Sequence, residues 1–162
     1  MDRYTSHYTN RLDAKGRVSI PAPFRAVLAK DGFEGLYAYP SLDAQALDCG
    51  GHALRREIEA LLDSQPVFSE ERHLFSTALN GASEILKVDP EGRVILTDTL
   101  KSFAGVTTEV TFVGQGNLFQ IWEPQRFRAH LEEARNRVRA LRRQLGARAA
   151  GPPAPQAAGA RE

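Results

Sequence analysis

The fold of this chain rests on two similar stretches of sequence, RLDAKGRVSIPAPFRAVL at residues 11–28 and KVDPEGRVILTDTLKSFA at residues 87–104. At a constant offset of 76 positions the aspartate, glycine, arginine and first valine coincide, and later apolar residues fall on apolar residues. The matched pairs are Asp13 with Asp89, Gly16 with Gly92, Arg17 with Arg93, Val18 with Val94, Ile20 with Leu96, Phe24 with Leu100, Val27 with Phe103 and Leu28 with Ala104. This register predicts a duplication, and the repeat organises the fold.

Each copy carries the same local signals. In Asp-x-x-Gly-Arg, the aspartate can cap its own turn and the glycine can adopt a positive φ, as a tight hairpin turn requires. Alternating strands follow at residues 17–20 and 93–96. Pro21 and the cluster at residues 97–99 are helix-start signals, and Gly105 is a stop signal. Each copy is therefore predicted to be a turn, a strand and a short helix with one apolar face.

A second correspondence relates residues 36–47 to residues 119–131 and predicts a hairpin in each copy. Its aligned pairs are Leu36 with Phe119 and Tyr39 with Trp122, at an offset of 83 positions. In the second copy, residues 114–116 separate two strand-like runs. The matching stretch of the first copy, residues 32–40, is shorter, so its hairpin is predicted to be reduced. The aromatic residues Phe119 and Trp122 lie in apolar register and are predicted to belong to the core rather than to stack on bases.

Longer helices are predicted over residues 51–64 and 124–146, with a bridging helix over residues 70–79. Ser69 is the predicted cap of the bridging helix, and its predicted inward residues are Leu74, Phe75, Ala78 and Leu79. The last helix has a narrow apolar stripe with a spacing close to that of a coiled-coil seam, which predicts packing on a partner helix. Its predicted oligomerisation residues are Phe127, Leu131, Val138 and Leu141.

These elements predict four segments along the chain. Residues 1–64 are the first repeat with its trailing helix, residues 65–82 the bridging helix, and residues 83–146 the second repeat with a C-terminal amphipathic helix. Residues 147–162 are rich in alanine and proline and are predicted to be disordered.

Composition favours a globular, cytoplasmic protein. Hydrophobic residues make up 42% and charged residues 25% of 162 residues, so a packed core is expected. The single cysteine, Cys49, excludes an internal disulfide framework and suits a reducing compartment. The sequence has no apolar run of the length that a membrane span needs, and its first residues lack the apolar stretch of a signal peptide.

The formal net charge is only +1, but the charges are segregated along the chain. Residues 1–30 hold six cations against two aspartates, and residues 134–148 hold six arginines and no acidic residue. A nucleic-acid binder with a nearly neutral balance must collect its positive charge in such patches. A run of charges also occurs on an ordinary solvated helix face. For residues 134–148, this explanation is as good as nucleic-acid binding.

Catalytic and metal-binding patterns are lacking in the sequence. The four histidines, His7, His52, His73 and His130, have no metal-ligand spacing, and Cys49 lies three residues from His52 without further partners. We expect no metal and no cofactor. No activated nucleophile is recognisable either, so the chain is predicted not to be an enzyme.

One Asp-x-x-Gly-Arg turn has a simple structural explanation, in which the aspartate caps the turn and the arginine pairs with it. The two motifs here, Asp13-Ala14-Lys15-Gly16-Arg17 and Asp89-Pro90-Glu91-Gly92-Arg93, also resemble those of the MraZ family, in which each of two AbrB-like swapped-hairpin modules carries Asp-x-x-x-Arg. The resemblance covers roughly residues 1–145 and includes the stretch at 72–75 and the Ile121-Trp122 pair. The chain departs from the family pattern in its short first hairpin, in an insertion around residues 48–51 and in its tail.

The resemblance implies a transcriptional regulator of division and cell-wall genes that binds direct repeats near its own promoter. It implies that the two modules form one pseudo-symmetric small barrel and that the chains assemble into a ring. Double-stranded DNA and further copies of the chain would then be the partners, in a cytoplasmic, nucleoid-associated protein with no membrane or small-molecule substrate.

Site residues follow from this resemblance and from the geometry of the major groove, which admits a two-stranded ribbon. Arg17 and Arg93 are predicted to donate to guanine O6 and N7, while Asp13 and Asp89 hold the turns. Lys15 can contact phosphate, whereas Glu91 cannot, so the first copy is predicted to bind DNA more strongly than the second. Further predicted phosphate contacts are Arg3, Asn10 and Arg11.

Three other functions are alternatives to DNA binding. An AbrB-like antitoxin would wrap a toxin with its tail, but such antitoxins typically carry one module. A DNA-free oligomeric scaffold would use the arginines only to brace the turns. An enzyme such as a methyltransferase needs a cofactor pocket that the sequence does not indicate.

Overall fold

A computed structural model describes residues 2–150 of the chain. The strands are β1 (His7–Arg11), β2 (Arg17–Ser19), β3 (Leu36–Pro40), β4 (Leu47–Gly50), β5 (Glu84–Leu86), β6 (Arg93–Ile95), β7 (Glu109–Gly114) and β8 (Phe119–Trp122). The helices are α1 (Ala22–Asp31), α2 (His52–Asp63), α3 (Glu70–Ser76), α4 (Asp98–Ala104) and α5 (Pro124–Ala150), and a π-helical turn, Thr77–Gly81, continues α3. The predicted α+β class is confirmed.

The strands that follow the two Asp-x-x-Gly-Arg turns pair with each other. β2 and β6 are antiparallel, with Val18 opposite Val94. Two backbone hydrogen bonds of 2.9 Å extend the pairing, from Ile20 N to Gly92 O and from Leu96 N to Gly16 O. The two-stranded ribbon therefore has one turn at each end, and the two copies of the repeat interlock.

The other six strands form one antiparallel sheet with the order β1-β7-β8-β4-β3-β5. Here too the copies exchange strands, because β1 pairs with β7 and β5 pairs with β3. At the centre β4 pairs with β8, and Asp48 lies opposite Gln120. The strands of the two copies therefore occupy equivalent positions on either side of this centre. The barrel and the ring stay predictions.

Residues up to Pro124 form one compact unit, and the part of α5 from Gln125 onward forms a second. The core of the first unit buries the predicted apolar positions of both short helices, Phe24 and Leu28 in α1 and Leu100 and Ala104 in α4. Phe103 was predicted on the same face but is 38% exposed. Full burial of one such large side chain contributes about 1.5–3 kcal/mol to folding, so these helices are held mainly by their packing.

The second sequence correspondence is wrong. β4 and β8 each end two residues before a long helix begins, so they are the equivalent strands, and Leu36 in β3 has no equivalence to Phe119 in β8. The first hairpin is not reduced, since β3 and β4 pair over four residues from Tyr37 to Pro40. The supposed insertion at residues 48–51 is largely β4 itself. Its sequence, Leu-Asp-Cys-Gly, lacks the β-branched and aromatic residues that identify a strand.

The helices differ from prediction at their ends and faces. Ser69 caps α3 as predicted, because its Oγ accepts the N–H of Arg72 at 3.1 Å. Leu74 does not point inward, since it is 58% exposed, and Leu79 is buried. α5 was predicted to stop at Gly146 but continues to Ala150, because one glycine in a helix costs only ~1 kcal/mol. The prediction of a disordered tail is therefore wrong for residues 147–150, and residues 151–162 lie outside the described part of the chain.

Candidate nucleic-acid interface

Asp13 organises the first turn with both carboxylate oxygens. Its Oδ1 accepts the backbone N–H groups of Lys15 and Arg17, each at 2.9 Å, and its Oδ2 accepts Nε–H of Arg17 at 2.6 Å. Gly16 has a φ of +80°, which a side chain would strain, so the glycine of the motif is required by the backbone. The hydrogen bonds from the Arg17 backbone and then from its guanidinium lower the pKa of Asp13. The guanidinium is thereby fixed at the surface, with 33% of the side chain exposed.

The second turn has the same geometry and one additional ion pair. Asp89 Oδ1 accepts the N–H groups of Glu91 and Arg93 at 2.9 Å, and Oδ2 accepts Arg93 Nε–H at 2.9 Å. Glu91 Oε1 lies 2.7 Å from Arg93 Nη2. The hydrogen bond to Asp89, with smaller contributions from the charges of Glu91 and Asp13, raises the pKa of Arg93. Arg93 is thus more heavily neutralised by its own turn than Arg17.

The ribbon brings both arginines to one face. Arg17 lies opposite Ile95 and Ser19 lies opposite Arg93, and paired residues of an antiparallel ribbon share a face. Val18 and Val94 point the other way and are each 1% exposed. With strands ~4.8 Å apart and a rise of ~3.4 Å per residue, the two arginine Cα atoms are roughly 8 Å apart. The sequence predicted both residues but not their common face.

The other predicted contact residues divide into two groups. Asn10 and Arg11 lie at the end of β1 that leads into the first turn, and the Asn10 side chain donates to Ser19 O at 2.7 Å. Arg3 lies elsewhere, because Tyr4 pairs with Gly116 in the β7–β8 connection and Arg3 Nη1 donates to Asn117 Oδ1 at 3.0 Å. Arg3 therefore lies beyond the start of β1, at the end of that strand away from the first turn, and the structure does not bring it to the ribbon.

Comparison with known proteins identifies the group to which these turns belong. The family model described as "MraZ protein, putative antitoxin-like" matches residues 78–146. A protein of Methylocella silvestris named Transcriptional regulator MraZ is 74% identical over the full length of both chains. Proteins of the same name from Beijerinckia indica and Rhizobium meliloti are 69% identical over all of both chains and 42% identical over 89% of this chain and all of the relative.

The chain belongs to the MraZ family.

Two further cations lie beside the turns of this MraZ chain. A methyl group added at Gly16 would lie 3.6 Å from Nζ of Lys101, which belongs to α4 of the second copy. A methyl group at Gly92 would collide with the side chain of Arg25, which belongs to α1 of the first copy. Sequence reasoning missed both residues, although their equivalence at the repeat offset was visible, because only the exchange of strands places each helix at the other copy's turn.

The apolar stripe on α5 is partly exposed. Phe127 is buried, while Leu131, Val138 and Leu141 are 37%, 58% and 53% exposed. The part of the stripe open to a partner therefore begins at Leu131, and its role in assembly stays a prediction.

Some kinds of site do not occur among the described residues. Within residues 2–150, no group of three or more histidine, cysteine or acidic side chains is placed to hold a metal ion. Cys49 lies buried in the core, and its burial raises the pKa of the thiol well above the usual value. None of the helices up to residue 150 has the length and apolarity needed to span a membrane.

Proposed function

We propose that this chain is a sequence-specific DNA-binding transcriptional regulator without catalytic activity, acting in the cytoplasm on the nucleoid. The observation that carries the proposal is the common face of Arg17 and Arg93 on a two-stranded ribbon, each arginine fixed by an aspartate of its own turn. A ribbon of this kind fits the major groove, where arginine can donate to guanine O6 and N7. The name of its relatives supports the same function.

The dimensions of the ribbon favour contacts with base pairs that lie two steps apart. Two arginines roughly 8 Å apart at Cα span about two base-pair steps of ~3.4 Å. The aspartates hold the guanidinium groups in place before DNA arrives, which lowers the entropy lost on binding. Because Glu91 also pairs with Arg93, the second turn must give up an additional ion pair, and we infer that the first copy contributes more to affinity.

Assembly would supply the avidity that one ribbon lacks. A protomer with two short ribbon strands neutralises few phosphates and binds weakly alone. We propose that the chain forms a ring, with Leu131, Val138 and Leu141 of α5 in contact with another copy, and that it binds direct repeats upstream of division and cell-wall genes, including its own. Linked modules can raise avidity ~10²–10⁴-fold when the spacing of the sites allows simultaneous contact.

Substitution of the two arginines tests the site. Arg17→Ala is expected to weaken binding to a duplex from upstream of the protein's own gene by about 1–3 kcal/mol, measured by fluorescence anisotropy, and Arg93→Ala by less. The number of subunits, measured by sedimentation, is expected to be unchanged because both side chains lie at the surface. Arg56→Ala, an exposed arginine on α2, is the matched control.

Unchanged affinity in the double variant would contradict the assignment of the site. The arginines would then only brace their turns, and the chain would be a DNA-free scaffold. Capture of a toxin in place of DNA would favour the antitoxin function that the family description names.

A further inference from the structure

The two turns differ in the cation that the opposite copy places beside each of them. β2 and β6 are antiparallel, so the helix after each strand begins at the turn of the other copy. Lys101 of α4 stands at the first turn and Arg25 of α1 stands at the second. Each turn is therefore a composite of both copies, which neither motif alone reveals.

Arg25 is engaged by the fold. Its Nη1 donates to the carbonyl oxygen of Ile20, at the end of β2. The aliphatic part of the side chain lies against Gly92, where any side chain would collide with it. The guanidinium thus ties the start of α1 to the second turn and is a positioning group there.

Lys101, its counterpart, is not held in this way. Within residues 2–150 its ion-pair partner is Asp98, at 3.5 Å in the same helix, and the Asp98 side chain is fully exposed. The Asp98 end of this pair is open to solvent, and 29% of the Lys101 side chain is exposed, so the ammonium group can exchange Asp98 for another anion at the surface. The ammonium group is next to Gly16, the residue between Lys15 and Arg17.

We propose that Lys101 binds a DNA backbone phosphate at the first turn, so that the reading head of the first copy includes a residue of the second. This inference rests on the proposed function. Lys15, Arg17 and Lys101 then surround the turn with cations, whereas the second turn has Glu91 in place of Lys15 and a guanidinium committed to the fold. The difference in strength between the copies therefore has a second source besides Lys15 and Glu91.

The test compares Lys101→Ala with Lys30→Ala, since both lysines pair with one aspartate and Lys30 lies at the far end of α1. Anisotropy is measured from low to high salt on the upstream duplex and on a scrambled duplex. Loss of one phosphate contact is expected to reduce the salt slope by about 0.9 per bound protomer and to weaken binding roughly eightfold at ~0.1 M salt, equally on both duplexes. Lys101→Arg is expected to keep most of the affinity, and Lys30→Ala all of it.

An unchanged salt slope in Lys101→Ala would overturn the proposal, as would a loss confined to the upstream duplex, which indicates a base contact instead. Failure of Lys101→Arg to restore binding while the variant stays folded by circular dichroism would also overturn it. If Arg17→Ala weakens binding and Lys101→Ala does not, this inference alone fails. If the wild-type protein binds neither duplex, the proposed function fails with it.

Discussion

At the scale of single residues, the two aspartates of the turns determine how the motif works. Asp13 and Asp89 each accept two backbone N–H groups and one guanidinium N–H, so one side chain fixes both the turn and the arginine. These hydrogen bonds lower the pKa of both carboxyl groups. A carboxyl group with a lowered pKa stabilises the fold above its unfolded pKa and loses that effect as the pH falls through the folded value.

The double variant Asp13→Asn/Asp89→Asn tests this dependence. Its unfolding temperature is expected to fall less than that of the wild type between pH 5 and pH 2, because asparagine has no carboxylate to protonate. Thermal unfolding followed by circular dichroism measures the difference. If the unfolding temperatures of both proteins fell equally between pH 5 and pH 2, the two carboxylates would contribute nothing to stability.

The contribution of Asp48 to stability depends on pH in the opposite direction. The Asp48 side chain is half-buried between β3 and β8, where it accepts Nε2–H of Gln120 at 2.8 Å and the hydroxyl of Tyr39, and burial raises its pKa despite these hydrogen bonds. A raised pKa means that its contribution to stability is present at low pH and is lost as the pH rises through the folded value. Asp48→Asn, which keeps an oxygen for Gln120, is expected to unfold at a higher temperature than the wild type at pH 7, with the difference shrinking toward pH 3. A variant less stable at pH 7 would refute this account.

At the scale of elements, α2 depends on a cap that comes from another helix. Both oxygens of Asp31, at the end of α1, accept N–H groups at the start of α2, with Oδ1 3.0 Å from Ala53 N. Gly51 leaves room for this contact, because a methyl group there would collide with Asp31 Oδ2. Removal of a capping side chain costs ~0.5–2 kcal/mol.

Asp31→Ala is therefore expected to lower the free energy of unfolding by about 1 kcal/mol in urea, and Asp31→Asn by less, since asparagine retains one acceptor. Asp43→Ala, in the exposed β3–β4 connection, is the control. No loss of stability in Asp31→Ala would show that solvent replaces the cap.

An element could be predicted when neighbouring residues in the sequence determine it, and could not when it depends on long-range pairing. The turns, the Ser69 cap, the helix start at residues 97–99 and the two short helices follow from their own sequence, and they formed as predicted except that Phe103 is exposed. β4 did not, because Asp48, Cys49 and Gly50 become a strand only through pairing with β3 and β8. The cations Lys101 and Arg25 were missed for the same reason. Their place at the turns results from long-range pairing between the copies, which local patterns do not contain.

At the scale of the whole molecule, we expect DNA affinity to be the sum of many weak contacts made by linked copies of the chain. We expect tight binding to tandem repeats at a period of about 10–10.5 base pairs, weak binding to a single box, and a sharp loss when the spacing changes by half a turn. Val138→Glu places a charge on the exposed stripe of α5 and is expected to lower subunit number and repeat affinity together, measured by sedimentation and anisotropy. Leu42→Glu, an exposed apolar residue outside α5, is its control. If one isolated box binds as tightly as three, the multivalent account is wrong.

Dimethyl sulfate protection of the DNA upstream of the protein's own gene shows whether the paired arginines on one ribbon contact guanines. This reagent methylates guanine N7, the atom to which a reading arginine donates. With the wild-type protein we expect protected guanines that recur at about 10–10.5 base pairs, and with Arg17→Ala/Arg93→Ala we expect that protection to be lost at concentrations where the variant still occupies the DNA. Protection that persists in the double variant would show that these arginines do not contact guanine N7.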